Sequence, residues 1–92
     1  MNDRVLVIGL RVEQARKLKD LYKDLNIEYN SDPAKHTAKL TNLEAYKKII
    51  VCTKFTTHKT HNMCKKHSGY TMTAGGFSSV RLLLQEMGAH YA

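Results

Sequence analysis

Arg4-Val5-Leu6-Val7-Ile8-Gly9-Leu10 is the stretch whose reading decides the fold. Val5 to Ile8 form an uninterrupted apolar run, three of the four β-branched, closed by a glycine. A run of that length without polar alternation reads as a strand covered on both faces. Such burial belongs to parallel sheets with helices on each side. Lys47-Lys48-Ile49-Ile50-Val51-Cys52-Thr53 repeats the pattern and predicts a second fully covered strand. Two such strands place a parallel sheet at the centre of the chain.

Working outward, residues 12–25 set Val12, Ala15, Leu18, Tyr22 and Leu25 near helical spacing with charges between them, which predicts an amphipathic helix. Asn26 is a residue that tolerates the left-handed conformation and suits the end of that helix. Ile27-Glu28-Tyr29-Asn30 is shorter and less apolar, as expected of an edge strand, and Asn30-Ser31-Asp32-Pro33 reads as a turn. Thr41-Asn42-Leu43-Glu44 has capping-box spacing and predicts a short helix from Thr41. Residues 56–67 read as a helix with Thr60, Met63, Cys64 and His67 on one face, stopped by Ser68-Gly69. Tyr70-Thr71-Met72-Thr73-Ala74 is the fourth strand. A last helix is expected from Ser78 or Ser79, striped by Val80, Leu83, Leu84 and Met87 and ended at Gly88. Strand and helix thus alternate four times. Right-handed crossovers then predict an α/β fold of the minimal Rossmann-like or flavodoxin-like kind, a single domain over 1–92. The expected sheet has four parallel strands in the order 2-1-3-4, with helices on both faces.

A chain of 92 residues is sized for one domain, and its 42% apolar content, gathered in blocks, argues against disorder. No run approaches the ~18 apolar residues of a membrane span, and the N-terminus carries no secretory pattern. Two cysteines, Cys52 and Cys64, are too few for a disulfide scaffold, so a reduced cytoplasmic setting is expected. Charge is unevenly placed. Residues 1–46 hold eight basic and seven acidic side chains, whereas residues 47–92 hold seven basic and one acidic, Glu86. A half at +6 suits an anionic partner such as a nucleotide, a nucleic acid, an acidic protein surface or lipid headgroups. Solubility is the plainer account, but it does not require the charge to sit on one half.

In sheets of this kind the ligand site lies beyond the carboxyl ends of the strands, where the strand order reverses. That rule selects Gly9-Leu10-Arg11, Asn30-Ser31-Asp32, Thr53 to His58, and Ala74 to Ser79 with Arg81. In the last segment Gly75 and Gly76 permit close backbone approach just before a helix start. There N–H groups and the positive dipole end attract an anion. Ser78 and Ser79 add hydroxyls, and Arg81 in a first helical turn is poorly placed against the dipole unless an anion binds nearby. The alternative is an ordinary tight turn with a Ser N-cap and a solvated Arg. After the third strand, Thr53, Lys54, Thr56, Thr57 and His58 bunch donors. Lys54 suits a phosphate, and His58 suits a hydrogen bond or acid–base work near neutral pH. Equally, Thr56 or Thr57 caps the helix. Phe55 and Phe77, the two phenylalanines, lie in these two loops. A sheet-covering role is expected for Phe55, and a contact role, to a base or a partner protein, for Phe77.

Several signatures are missing. There is no dinucleotide-binding or P-loop glycine pattern, no Cys-x5-Arg loop, and no receiver-type carboxylates at the strand ends. His58, His61, Cys64 and His67 recur every third residue, but four residues so spaced wind about 180° around a helix, and only neighbours share a face. Core packing explains Cys64 and His67 better than a metal, so neither a metal nor a cofactor is expected.

The third and fourth units, residues 45–85, resemble a family of small bacterial proteins, domain-of-unknown-function family 2325; the likeness is thin over residues 10–40. Its members have a glycine-ended first strand, a central strand running into a Thr-Asp-aromatic-x-x-His stretch, and a late strand leading into a Ser-rich turn. Here the central stretch is Thr53-Lys54-Phe55-Thr56-Thr57-His58, and the late one runs from Gly69 to Val80. The resemblance implies a Rossmann-like fold and marks Thr53, His58, Ser78 and Ser79. It implies no activity. Lys54 stands where the family usually has an acid, which removes a metal-binding carboxylate and makes the site more basic.

Three functions fit these residues. The first is a non-enzymatic binding or regulatory module. It would hold a phosphate-bearing ligand, nucleotide or nucleic-acid backbone, through Arg11, Thr53, Lys54, Thr56, Thr57, His58, Gly75, Gly76, Phe77, Ser78, Ser79 and Arg81. The second is a small regulatory or inhibitory protein docking on an acidic protein, as a phage-encoded factor does on a host protein. The third is a phosphate-ester enzyme using His58, with Asp32 across the site. A homodimer through residues 27–30, residues 70–74 or the last helix is also compatible with so small a core.

Overall fold

The computed structural model describes residues 4–23, 25–30, 43–56 and 58–86, without the side chains of Asn30 and Phe55. Its elements are β1 (Arg4–Ile8), α1 (Val12–Leu21), β2 (Asn26–Asn30), β3 (Lys48–Cys52), α2 (His58–Cys64), β4 (Tyr70–Thr73) and α3 (Phe77–Glu86). The four strands are parallel in the order β2-β1-β3-β4. This is an α/β fold of minimal Rossmann-like form, as the two apolar runs predict.

The central strands show why. All eight side chains from Val5 to Ile8 and from Ile49 to Cys52 are buried. Alternation sorts them onto two faces. Val5, Val7, Ile50 and Cys52 pack with Ala15, Leu18 and Tyr22 of the first helical unit and with Val80 and Leu84 of α3. Leu6, Ile8, Ile49 and Val51 face Cys64 of α2 and Tyr46. Each large aliphatic side chain so buried contributes about 1.5–3 kcal/mol of transfer free energy. The central strands therefore anchor the fold, and the edges are left to lesser forces. On the β4 edge Met72 is 58% exposed, and on α3 Leu82 is 61% exposed.

Four helix boundaries differ from the sequence expectation. α1 ends at Leu21, where the Tyr22 N–H closes on the Leu18 carbonyl (3.0 Å) and the Tyr22 ring enters the core. Asn26 opens β2 instead of ending the helix, and among the described residues no non-glycine adopts a positive φ. α2 is confined to His58–Cys64. The chain then turns, with the His67 N–H on the Cys64 carbonyl (3.0 Å) and the Gly69 N–H on His67 Nδ1 (2.9 Å). α3 begins at Phe77, before either serine, because the Gly76 carbonyl already accepts the first helical bond from Val80 N–H (3.1 Å). Thr41 and the 31–33 turn lie outside the described residues; Leu43 to Ala45 form one 3-10 turn ahead of Tyr46. Among the described residues no helix is long and apolar enough to cross a membrane.

Candidate functional site

The strand order reverses between β1 and β3, and Gly9 and Cys52 meet there. Gly9 has φ +100°, and a Cβ on it would lie 2.8 Å from both the Cys52 carbonyl oxygen and Thr56 Oγ1. Thr56 Oγ1 itself donates to that carbonyl (2.8 Å). The crevice at the reversal is thus filled by the protein's own threonine. Thr56 is a structural closure of the 3-10 turn Thr53–Phe55, whose end the Thr56 N–H marks on the Thr53 carbonyl (3.4 Å). Thr57 lies outside the described residues, as does Asp32.

Thr53 is committed as well. Its hydroxyl donates to the Thr73 carbonyl (3.4 Å), tying the end of β3 to the end of β4, which the Cys52–Thr73 register already places side by side. That bond sets the turn carrying exposed Lys54 next to the loop that leads into α3. His58 is exposed at the first residue of α2. Arg11 is exposed at the start of α1. Its guanidinium has no acceptor for the helix N–H groups, and the Arg11 N–H instead donates to Gln14 Oε1 (3.3 Å).

The glycine pair differs from the expected cradle. The Gly75 N–H donates to Thr73 Oγ1 (3.1 Å), and the space a Gly75 side chain would take is filled by Ser79. Gly76 faces open space. Because the obstruction at Gly75 is one small side chain, Gly75→Ala should cost only about 1 kcal/mol. Urea denaturation of Gly75→Ala and of Gly75→Ala/Ser79→Ala checks this: the second change should recover most of the loss.

Phe77 is half-buried against the core between α1 and α3, with Lys17 Nζ 5.3 Å and the Arg81 guanidinium 5.8 Å from its ring centre. Arg81 is the fifth residue of α3, one turn beyond its start. A cation there is no longer badly placed against the dipole, and the Phe77 ring four residues earlier accounts for its position. Ser78 is exposed in the first turn and Ser79 half-buried, and neither caps the helix. The sequence candidates Thr53, Lys54, Gly75 and Ser78 therefore share one corner of the molecule, while Arg11 stands exposed at the start of α1.

The His/Cys series has other duties. Cys64 is buried, and burial pushes its thiol up to about 11, as it does that of Cys52. Both stay protonated at neutral pH, so neither is a ready nucleophile. His61 Nε2 bonds the Tyr70 hydroxyl across stacked rings, and His67 accepts from Gly69. No group of three or more His, Cys, Asp or Glu among the described residues is arranged to hold a metal ion.

Lys47, Lys66, His67 and Ser68 escape the strand-end rule because they lie at the amino ends of β3 and β4. They line a hollow of about 420 Å³ there with Glu44 and Tyr46. The pointer in the sequence is a pair of lysine doublets, 47–48 and 65–66, flanking elements that pack together. No family model, no curated protein and no solved structure matches the chain.

Proposed function

We propose that this protein is a non-enzymatic binding module for a phosphate-bearing polyanion, the backbone of a nucleic acid, engaged at the carboxyl ends of β3 and β4. The observation that carries this reading is the absence of any acidic residue from 47 to 85, which takes in both loops of this corner, Thr53–Thr56 and Ala74–Gly76. The turn after β3 carries exposed Lys54, the first turn of α3 carries exposed Ser78, and Lys17 and Arg81 both lie over the Phe77 ring, so all four would supply donors to such a ligand. The filled crevice at Gly9 favours an extended ligand lying on the surface over a small nucleotide enclosed at the reversal point. Thr53 acts by holding the two loops together and Gly75 by leaving room for Ser79. The resemblance to family 2325, which we propose as a true relationship, marks Thr53, Ser78 and Ser79 in this corner and His58 at the start of α2.

Binding of a labelled single-stranded oligonucleotide and of a duplex, by nuclease-treated protein across a salt series, tests the reading. Lys54→Ala/Arg81→Ala should weaken binding and reduce the slope of log affinity against log salt by about two. Affinity and slope equal to those of the parent chain would sink it. Recovery of one stoichiometric, nuclease-insensitive acidic protein instead would favour docking.

A further inference from the structure

Four of the seven cations between residues 47 and 92 stand at the end of the sheet away from that corner: Lys47, Lys48, Lys65 and Lys66. The fold joins the two doublets through backbone. Ile49 N–H donates to the Gly69 carbonyl (3.0 Å), and Gly69 lies so close to Lys47 that a side chain on it would overlap the Lys47 carbonyl oxygen. Lys47 is anchored on the other side by its N–H on the Arg4 carbonyl (2.8 Å). The hollow of about 420 Å³ between Lys47 and the Lys66–Ser68 turn is thus held by backbone on both walls.

One of its donors, the His67 ring, is set in place by backbone. The His67 N–H donates to Cys64, the His67 carbonyl accepts from Tyr70 N–H (3.1 Å), and His67 Nδ1 accepts from Gly69 N–H (2.9 Å). A ring nitrogen that accepts is unprotonated, so the imidazole carries its proton on Nε2 and offers that N–H as a donor. Tyr46 lines the same hollow and is fixed in turn: its hydroxyl donates to Glu28 Oε1 (3.2 Å) and its ring lies 4.7 Å from the Arg4 guanidinium. Two ammonium groups, an imidazole N–H and the Ser68 hydroxyl match the charge and acceptors of a phosphate dianion. Glu44, the one acid in the lining, repels a bare anion but accepts from a hydroxyl. The volume falls in the range of small-molecule sites.

We propose that this hollow is a second anion site, one that takes the phosphate of a small, hydroxyl-bearing phosphomonoester. It is independent of the polyanion surface, being at the opposite end of the sheet. The test is an NMR titration of the 15N-labelled full chain with ribose 5-phosphate, inorganic phosphate and sodium chloride. Ribose 5-phosphate should move the amides of Lys47, His67, Ser68 and Gly69 saturably, and more tightly than inorganic phosphate. Lys47→Ala/Lys66→Ala, at exposed positions that leave the spectrum folded, should weaken that binding by about tenfold or more. Glu44→Gln should narrow the preference for the organic phosphate. Lys54→Ala/Arg81→Ala should leave the curve in place, just as the Lys47/Lys66 variant should leave oligonucleotide binding in place. The proposal fails if those amides stay still at millimolar ligand, if sodium chloride moves them equally, or if the Lys47/Lys66 variant binds as the parent does.

Discussion

Gly69→Ala is expected to lower the unfolding free energy by about 3 kcal/mol, one of the two largest losses among the described glycines. The added carbon would overlap the Lys47 carbonyl oxygen and sit 3.1 Å from the Lys47 carbonyl carbon and Lys48 Cα. All three are backbone atoms, so no side-chain rotation relieves the clash. Neither wall retreats cheaply. Lys47 is bonded to Arg4 of β1, and Gly69 accepts from Ile49 of β3, so separation gives up backbone bonds that start two strands. For a domain of this length that loss lowers Tm by roughly 12–24 °C. Calorimetry or a circular-dichroism melt reads it directly. A Tm within a degree or two of the parent would mean that the two walls are less tightly joined, and the preorganised hollow would lose its support with them.

Gly9→Ala should cost a comparable amount for a different reason. Its φ of +100° is a conformation that L side chains resist, worth about 1–3 kcal/mol by itself. The new Cβ would also press on the Cys52 carbonyl and on Thr56 Oγ1, each 2.8 Å away. The two contributions separate by experiment. In a double-mutant cycle, Thr56→Ala should recover part of the Gly9→Ala loss, because it removes one of the two obstacles, while the backbone strain persists. A favourable coupling of about 1 kcal/mol in chemical denaturation is expected. Strictly additive losses would show that Thr56 does not close the strand reversal.

The contrast among the glycines explains how far the candidate site was legible. Gly75-Gly76 reads as a ligand cradle because two adjacent glycines before a helix are visible in one dimension. The glycines with backbone pressed against them are Gly9 and Gly69, and what faces each is contributed by the strand β3 or its flanks, some forty and twenty residues away in the chain. The same holds for Thr53 and Thr56. Both are visible as hydroxyls at a strand end, but only the parallel register shows that one bridges to Thr73 and the other fills the reversal crevice. The place of Arg81 turns on a boundary: helix α3 starts at Phe77, and a shift of one or two residues moves the side chain out of the first turn and onto an aromatic ring.

Sequence by itself determined the sheet. Continuous apolar runs at 5–8 and 49–52 admit burial on both faces and little else, and the polar segment at 27–30 is tolerable only at an edge. Parallel direction follows from those runs, and the handedness of the crossovers narrows the order in which the four strands lie. Tertiary structure alone decided where the cations converge. Side-chain periodicity tells a strand which face to bury, but not which chain end will press against its start. Lys47 and Lys66 line one hollow because Gly69 lets two backbones touch, and that contact exists only once β3 and β4 are in register.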